Sequence, residues 1–295
     1  MDMRITHLRV DNFKSLVDFN LPLAKFNCLV GLNGSGKSTV LQFFDFLSQQ
    51  VKGDLDDWLK KRKWEASDIN SKLTRKKNIN FEACLLHNKN FEVKWSASFN
   101  RTTLRCTAER LSAFLYEIGA AKRDDIKQTM TKIYPTIKKI DVEKLRFGWK
   151  RLLVEEEFKK TLLKTEARHV ADGFLRMLAI LAQLSKGQSC LLLDEIENGI
   201  NPELIEFLVD SLVQSLPQVL VTTHSPMILN YLEDDIAIAG VIYLYKTPNG
   251  STQSVRLFDI PSMREKLTVM GPGEVYEDTL LTKLDQEINS LQQTN

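Results

Sequence analysis

The spacing of hydrophobic residues changes along the first fifty positions, and each change predicts a different element. Apolar residues recur at nearly alternate positions between Arg4 and Phe19, which predicts two strands separated by a turn at Asp11-Asn12. Residues 26–30 form a short apolar run, and Thr39–Leu47 has the spacing of an amphipathic helix. Between them lies a glycine-rich stretch. The order strand, glycine-rich loop, helix is therefore predicted.

The pattern of apolar residues in the middle of the chain predicts antiparallel strands together with helices. The predicted elements are a helical excursion within the lysine-rich residues 52–77, two strands within 79–105 around a turn at 87–90, a helix at 111–133 and a hairpin at 137–154. We therefore predict one composite domain. Residues 1–51 and 170–295 form its nucleotide-binding core, and residues 52–169 form an inserted helical and antiparallel β lobe.

The last part of the chain returns to alternating helices and strands. The predicted elements are a helix at 173–185, a strand at 189–194, a helix at 202–215, a strand at 219–223 and a hairpin at 241–258. This order predicts an α/β fold with a central mixed sheet. An amphipathic stretch follows Gly271-Pro272-Gly273. We expect it to pack on the same head, with docking of a partner as the alternative.

Composition and charge exclude several classes of protein. Hydrophobic residues make up 43% and charged residues 26% of the chain, as in ordinary globular proteins. The longest apolar runs are much shorter than the roughly 20 residues that a membrane span requires. A formal net charge of +2 is too small for nucleic-acid binding by the whole surface. The N-terminus also has no export signal. We expect a cytoplasmic protein without a membrane partner.

The glycine-rich stretch Gly31–Ser38 fits the phosphate-binding pattern G-x-x-x-x-G-K-[ST]. Its glycines let backbone amides converge on phosphate oxygens at a helix N-terminus, Lys37 reaches the β- and γ-phosphates, and Ser38 coordinates Mg²⁺. The candidate nucleotide-binding residues are Asn33, Gly34, Ser35, Gly36, Lys37, Ser38 and Thr39. The predicted ligands are ATP and Mg²⁺.

Two later strands end in side chains suited to ATP hydrolysis. Leu191–Leu193 is an apolar run followed by Asp194 and Glu195. In this position Asp194 is a candidate Mg²⁺ ligand, and Glu195 is a candidate base for the attacking water. The second strand ends near His224, whose imidazole can contact the γ-phosphate. The candidate catalytic residues are therefore Glu195, His224 and Lys37.

These motifs and three further segments resemble the ABC-class AAA ATPases related to RecF, SMC and OLD proteins. The additional segments are Leu8–Ser15, Ala171–Arg176 and Glu197–Gly199. The resemblance runs from end to end of the chain and implies a P-loop ABC-type ATPase head that pairs with a second copy around two ATP molecules. It places Lys14 at the nucleotide. It also places Ala171, Asp172 and Gly173 in the signature motif, and Asn198 in the D-loop, where they meet the partner's nucleotide.

This sequence departs from the family pattern at the signature motif. The family begins that motif with a serine whose hydroxyl meets the γ-phosphate, whereas this chain has Ala171. A hydrogen bond to a charged group is worth roughly 1.5 to 3 kcal/mol, so we expect a weaker dimer or slower hydrolysis. The Q-loop glutamine of the family is not identified, and Gln42 lies inside the first helix, where it is a poor candidate.

A lysine-rich segment leaves the question of nucleic acid open. Basic residues from Lys60 to Lys77 alternate with Trp58 and Trp64, a combination that can bind a phosphate backbone and stack on bases. Acidic residues interrupt the segment, which favours a solvated helix face instead. The pattern alone does not decide between them.

The resemblance and the predicted elements favour an ATP-driven switch over two alternatives. No sustained heptads occur between Lys52 and Arg168, and only about seventy residues follow His224, too few for a C-terminal Toprim nuclease domain. We therefore expect an ATPase subunit that controls a separate effector, such as a Toprim-like nuclease or a toxin, in anti-phage defence. The alternatives are a RecF-like DNA-binding repair clamp and, less favoured, the ATPase subunit of a transporter.

Overall fold

The computed structural model describes residues 3–52, 55–76, 78–87, 91–99, 119–144, 150–159, 161–185 and 189–293. The chain divides into two compact units. Unit 1 comprises Met1–Arg105, Ser189–Ile196 and Gln218–Asn295, and unit 2 comprises Cys106–Gln188 and Glu197–Pro217. The division into a core of residues 1–51 and 170–295 with an inserted lobe of residues 52–169 remains a prediction.

Unit 1 contains nine strands and seven α-helices among the residues described for it. The strands are β1 (Met3–Asp11), β2 (Phe19–Pro22), β3 (Phe26–Val30), β4 (Ile79–His87), β5 (Phe91–Phe99), β9 (Cys190–Leu193), β10 (Gln218–Thr222), β11 (Val241–Lys246) and β12 (Thr252–Arg256). The helices are α1 (Lys37–Lys52), α2 (Leu55–Arg62), α6 (Pro226–Asn230), α7 (Asp234–Gly240), α8 (Pro261–Lys266), α9 (Pro272–Glu277) and α10 (Leu281–Gln293).

The central sheet of unit 1 is mixed, as the sequence predicts. Its strand order is β12-β11-β3-β10-β9. β11, β3, β10 and β9 are parallel neighbours, and β12 pairs antiparallel with β11. β3 and β10 are buried at every position, which explains why most of their residues are apolar.

A second, antiparallel sheet of unit 1 has the order β2-β1-β4-β5. The antiparallel strands predicted between residues 79 and 105 belong to this sheet, because β4 pairs with β1 and β5 pairs with β4. α1 joins this sheet to the central sheet. Its residues Val40, Phe43 and Phe46 are fully buried in one hydrophobic cluster that also contains Leu8 of β1 and Leu29 of β3.

The loop after β1 is fixed on both sides. The side-chain amide of Asn12 donates hydrogen bonds to the carbonyl oxygens of Lys76 and Asn78, each at 2.8 Å. The ring of Phe13 is fully buried and packs edge-on against Phe43 of α1, with centroids 5.1 Å apart. Asn12 and Phe13 therefore fix the position of the following residues, Lys14 and Ser15, whose partners are Gln42 of α1 and Thr252 of β12.

The C-terminal tail packs on unit 1. Leu284 and Ile288 of α10 are buried, and the hydroxyl of Tyr243 on β11 donates to Asp285 at 2.7 Å. Leu280, between α9 and α10, remains 63% exposed. The structure thus agrees with the expectation that the amphipathic tail packs on its own head.

Unit 2 combines a small sheet with three α-helices among its described residues. The strands are β6 (Ile137–Lys144), β7 (Lys150–Phe158) and β8 (Thr161–Glu166), and the helices are α3 (Gly119–Ile133), α4 (Asp172–Leu184) and α5 (Ile205–Val213). The sheet is antiparallel with the order β6-β7-β8. Tyr134 packs edge-on against Phe174 at the start of α4, with ring centroids 5.1 Å apart. The predicted helical residues 111–118 lie outside the described part of the chain.

Candidate functional site

Three neighbouring parallel strands end at one edge of the central sheet. In the register of the sheet, Thr222 of β10 lies beside Leu29 of β3, and Val221 lies beside Leu193 of β9. Because parallel strands have their carboxyl ends at the same edge, the P-loop, the pair Asp194-Glu195 and His224 all follow this edge. The outer two strands are two spacings, or about 10 Å, apart. Fold topology therefore brings the three predicted motifs together.

The P-loop itself holds its lysine in place. Lys37 is buried at the first position of α1, and its Nζ donates to the carbonyl oxygens of Gly31 at 2.7 Å and Leu32 at 3.1 Å. Gly36 has φ +114°, and a Cβ there would lie 2.4 Å from Oγ1 of Thr252. Only glycine fits this position, because a side chain would be strained in the backbone and would also collide with Thr252.

The remaining P-loop residues suit a phosphate ligand. Asn33 and Gly34 are exposed, while Ser38 and Thr39 lie in the first turn of α1, where backbone amides and the helix dipole favour an anion. Ser35 is only 3% exposed, and its Oγ has no hydrogen-bond partner among the described residues. Buried polar groups normally have partners, so this hydroxyl at the loop fits a site that a phosphate oxygen completes.

Thr222 connects the two acidic residues that follow β9. It is fully buried at the end of β10, and its Oγ1 donates to Oδ1 of Asp194 at 2.6 Å while accepting from the backbone N–H of Glu195 at 2.8 Å. Glu195 has φ +47°, a left-handed conformation that non-glycine residues adopt only where the surroundings impose it. The threonine hydroxyl is one such constraint, since it holds the carboxylate of the candidate Mg²⁺ ligand Asp194 and the backbone of the candidate base Glu195.

His224 lies next to the candidate base. Its Nε2 is 3.7 Å from Oε1 of Glu195, and both side chains are partly exposed. The structure therefore places His224, Glu195 and Asp194 on one exposed rim beyond the strand ends. The predicted Mg²⁺ ligands, Ser38 and Asp194, supply a hydroxyl and a carboxylate, which are oxygen ligands of the kind Mg²⁺ prefers.

Lys14 contacts the helix that follows the P-loop. Its Nζ donates to Oε1 of Gln42 on α1 at 2.8 Å and lies 3.4 Å from the ring centroid of Trp64. Burial and, to a smaller extent, the nearby charge of Arg62 lower the pKa of Lys14 to about 8, although Asp68 opposes the shift. The lysine that the resemblance assigns to the nucleotide thus lies beside α1, and Gln42 is its partner.

Unit 2 carries the predicted signature and D-loop residues. Ala171 is the N-cap of α4 and makes no side-chain cap hydrogen bond, and Asp172 is the acidic residue of the first turn. A Cβ on Gly173 would lie 2.1 Å from the carbonyl oxygen of Gly199, next to Asn198. The start of α4 and the D-loop are therefore in direct contact within this unit, and this contact requires a glycine at position 173.

The aromatic residues of the lysine-rich segment have structural roles. Trp58 is fully buried, and its indole N–H donates to Asp45, which also accepts from Arg62 at 2.6 Å. The guanidinium of Arg62 lies 4.6 Å from the ring centroid of Trp58 and 5.0 Å from that of Trp64. Trp58 is therefore not available for stacking on bases. The structure favours the solvated helix face over the nucleic-acid interpretation of this segment.

Sequence reasoning missed three hydroxyl-bearing residues around the site: Thr222, Thr252 and Tyr276. Thr222 stands directly before the predicted Thr223-His224 ending, so its place at the strand end was a usable signal. Thr252 and Tyr276 belong to no motif. They come near the P-loop only because the chain returns to it after more than two hundred residues.

Residues 3–171 of this chain match the AAA ATPase domain family. The match covers more than half of the 295 residues. The chain belongs to this family. No curated protein sequence matches it. Among the residues that the structure describes in this AAA ATPase, none of the helices combines the length and apolar character needed to span a membrane.

Three solved SMC heads are similar to this AAA ATPase in structure. An SMC head bound to the C-winged helix domain of ScpA matches with a TM-score of 0.58 at 14% identity, over 85% of this chain and 96% of that chain. The Pyrococcus furiosus head domain, bound to the C-terminal domain of ScpA, matches with a TM-score of 0.58 at 12% identity, over 90% of this chain and 100% of that chain. The Pyrococcus yayanosii head domain matches with a TM-score of 0.61 at 10% identity, over 86% of this chain and 97% of that chain. The fold is an ABC-type ATPase head of the SMC kind, as the resemblance predicted.

Proposed function

We propose that this AAA ATPase binds and hydrolyses ATP with Mg²⁺ at the edge of the central sheet. The observation that carries the proposal is the order of the parallel strands, since β3, β10 and β9 are neighbours and end at the P-loop, at His224 and at Asp194-Glu195. This arrangement supplies a phosphate cradle, a metal ligand and a base within about two strand spacings of each other.

Binding requires a change of partner for Lys37. In the structure its ammonium group satisfies the carbonyl oxygens of Gly31 and Leu32, and it exchanges these for phosphate oxygens of the nucleotide. The amides at the start of α1 and the Ser35 hydroxyl donate to the same phosphates. Ser38 and Asp194 would hold Mg²⁺ at this site, where the cation would neutralise phosphate charge.

Hydrolysis relies on Glu195 and His224. Glu195 holds the attacking water and accepts its proton, and His224 contacts the γ-phosphate from the next strand. The hydrogen bonds of Thr222 fix the carboxylate of Asp194 and the backbone of Glu195 before nucleotide arrives. The carboxylate of Asp194 and the backbone of Glu195 therefore need little reordering when ATP binds.

We further propose that two copies pair around ATP and that the pair switches a separate effector. The contact between Gly173 and Gly199 supports a common surface formed by Ala171, Asp172, Gly173 and Asn198. Two of the similar SMC heads are bound to a domain of ScpA, which motivates a partner protein here too. We propose a Toprim-like nuclease or a toxin as that partner, in anti-phage defence. The burial of Trp58 argues against the repair-clamp alternative through this segment.

The test separates binding from turnover in two variants of the full-length protein. Lys37→Ala should remove detectable binding of a fluorescent ATP analogue, because the ammonium group that meets the phosphates is lost. Glu195→Gln should bind as the wild type does and should lower the rate of phosphate release by about 100-fold or more, because it keeps the shape and removes the base.

Glu206→Gln is the matched control, since it makes the same change at an exposed carboxylate on α5. It should leave both measurements unchanged, and thermal melting should show that all three variants are folded. Wild-type turnover in folded Glu195→Gln protein would refute the assignment of the base. Full ATP binding by Lys37→Ala would refute the site itself.

A further inference from the structure

The hydroxyl of Thr252 occupies the centre of a buried network under the P-loop. Thr252 is fully buried, and its Oγ1 donates to the carbonyl oxygen of Ser35 at 2.8 Å and accepts from Nζ of Lys246 at 3.0 Å. Oγ of Ser15 lies 2.8 Å away and acts as the donor, because the one proton of Thr252 is already used. The three bonds use the full capacity of this hydroxyl.

A second hydroxyl reaches the other end of the P-loop. Tyr276 on α9 accepts a hydrogen bond from the backbone N–H of Gly31 at 3.2 Å. Burial raises the pKa of Tyr276 to about 12, so the phenol is neutral at physiological pH. The carbonyl oxygen of Gly31 accepts from Lys37, so this tyrosine holds the same residue that positions the lysine.

We propose that Thr252 and Tyr276 are positioning residues of the nucleotide site, which hold the P-loop backbone at Ser35 and at Gly31 in the shape that receives phosphate. Neither residue belongs to the P-loop motif, and both come from the C-terminal part of the chain. The inference rests on the proposed ATP binding and deepens it.

The consequence is a specific kinetic signature. Backbone amides converge on a phosphate only when the loop already has its curved shape, and a loop that must be ordered during binding loses affinity. The hydrogen bonds described for Thr252 and Tyr276 go to the P-loop and its supports, and not to Glu195 or His224. Loss of either one should therefore weaken ATP binding and raise KM, while kcat at saturating ATP stays the same.

The experiment compares two substitutions that keep side-chain volume with two matched controls. Thr252→Val and Tyr276→Phe should each weaken binding of a fluorescent ATP analogue, with Mg²⁺ present, by about three- to tenfold, the range expected for one net hydrogen bond. The controls are Thr247→Val and Tyr243→Phe. Thr247 lies in the same hairpin as Thr252, but its hydroxyl bonds to Ser251. The hydroxyl of Tyr243 bonds to Asp285 of α10 instead of the P-loop. Both controls should bind ATP as the wild type does.

The outcomes separate this inference from the proposed function. If Thr252→Val does not fold, Tyr276→Phe still tests the proposal, and Thr252→Ser should keep wild-type affinity because it keeps the hydroxyl. Wild-type affinity in folded Thr252→Val and Tyr276→Phe would overturn the inference, as would an equal loss in both controls. If wild-type protein binds no better than Lys37→Ala, the proposed function itself fails.

Discussion

Substitution of Ala171 by serine should have two effects that the structure makes separable. Ala171 is the N-cap of α4 and makes no side-chain cap hydrogen bond there. A serine at an N-cap accepts a backbone N–H of the first turn, which stabilises by about 1 kcal/mol relative to alanine. For a domain of this size such a gain raises Tm by about 2 to 4 °C. This effect needs neither ATP nor a second copy.

The second effect requires the proposed dimer. If residue 171 faces the γ-phosphate of the partner's ATP, the serine hydroxyl adds a charge-assisted hydrogen bond worth roughly 1.5 to 3 kcal/mol. The ATP-dependent dimer should then tighten by at least about tenfold. Light scattering on the Glu195→Gln background, with and without ATP, measures the dimer. Turnover is compared with Glu195 intact.

Ala171→Asp is the control that separates the two effects. Aspartate caps a helix about as well as serine, so it should give the same gain in Tm. Its carboxylate would repel a facing phosphate, so it should weaken the ATP-dependent dimer. Equal dimerisation by the serine and aspartate variants would refute the placement of Ala171 opposite the nucleotide. If neither variant raised Tm, the assignment of the N-cap would be wrong.

Two further predictions concern Gly173 and Lys14. Gly173→Ala should weaken the ATP-dependent dimer and lower Tm, because its Cβ would collide with the carbonyl oxygen of Gly199, while ATP binding by the monomer should persist in an equilibrium titration. Because the pKa of Lys14 is lowered to about 8, this lysine loses its charge as the pH rises. If the charge supports ATP binding, affinity should fall by up to about tenfold between pH 7 and pH 9, in proportion to the protonated fraction. Lys14→Arg should remove that dependence, and the same fall in the arginine variant would contradict it.

Local pattern predicted much of unit 1 because its elements carry their signals in adjacent residues. The strand Phe26–Val30, the P-loop and α1 follow one another directly, and their order is visible in the spacing of apolar residues. The ends of β9 and β10 were identified for the same reason. Each is an apolar run that stops at a charged or polar residue.

Pairing between distant segments was not predictable in this way. β4 reads as part of a separate lobe in the sequence, yet it pairs with β1 through contacts that only the folded chain reveals. β8 was missed because its sequence, Thr161–Glu166, has two adjacent leucines, both exposed, and no alternation. Thr252 and Tyr276 were missed because a lone hydroxyl carries no pattern.

The position of β3 in the central sheet has a consequence for biosynthesis. β3 is flanked by β10 and β11, which begin at Gln218 and Val241 and therefore leave the ribosome long after the P-loop that β3 carries. Until then β3 has neither of its neighbouring strands. A nascent chain ending before residue 218 should not retain ATP, and the sheet must close through contacts of high sequence separation, which fold slowly. The newly made ATPase therefore becomes competent for nucleotide only after the strands that begin at Gln218 and Val241 have been synthesised.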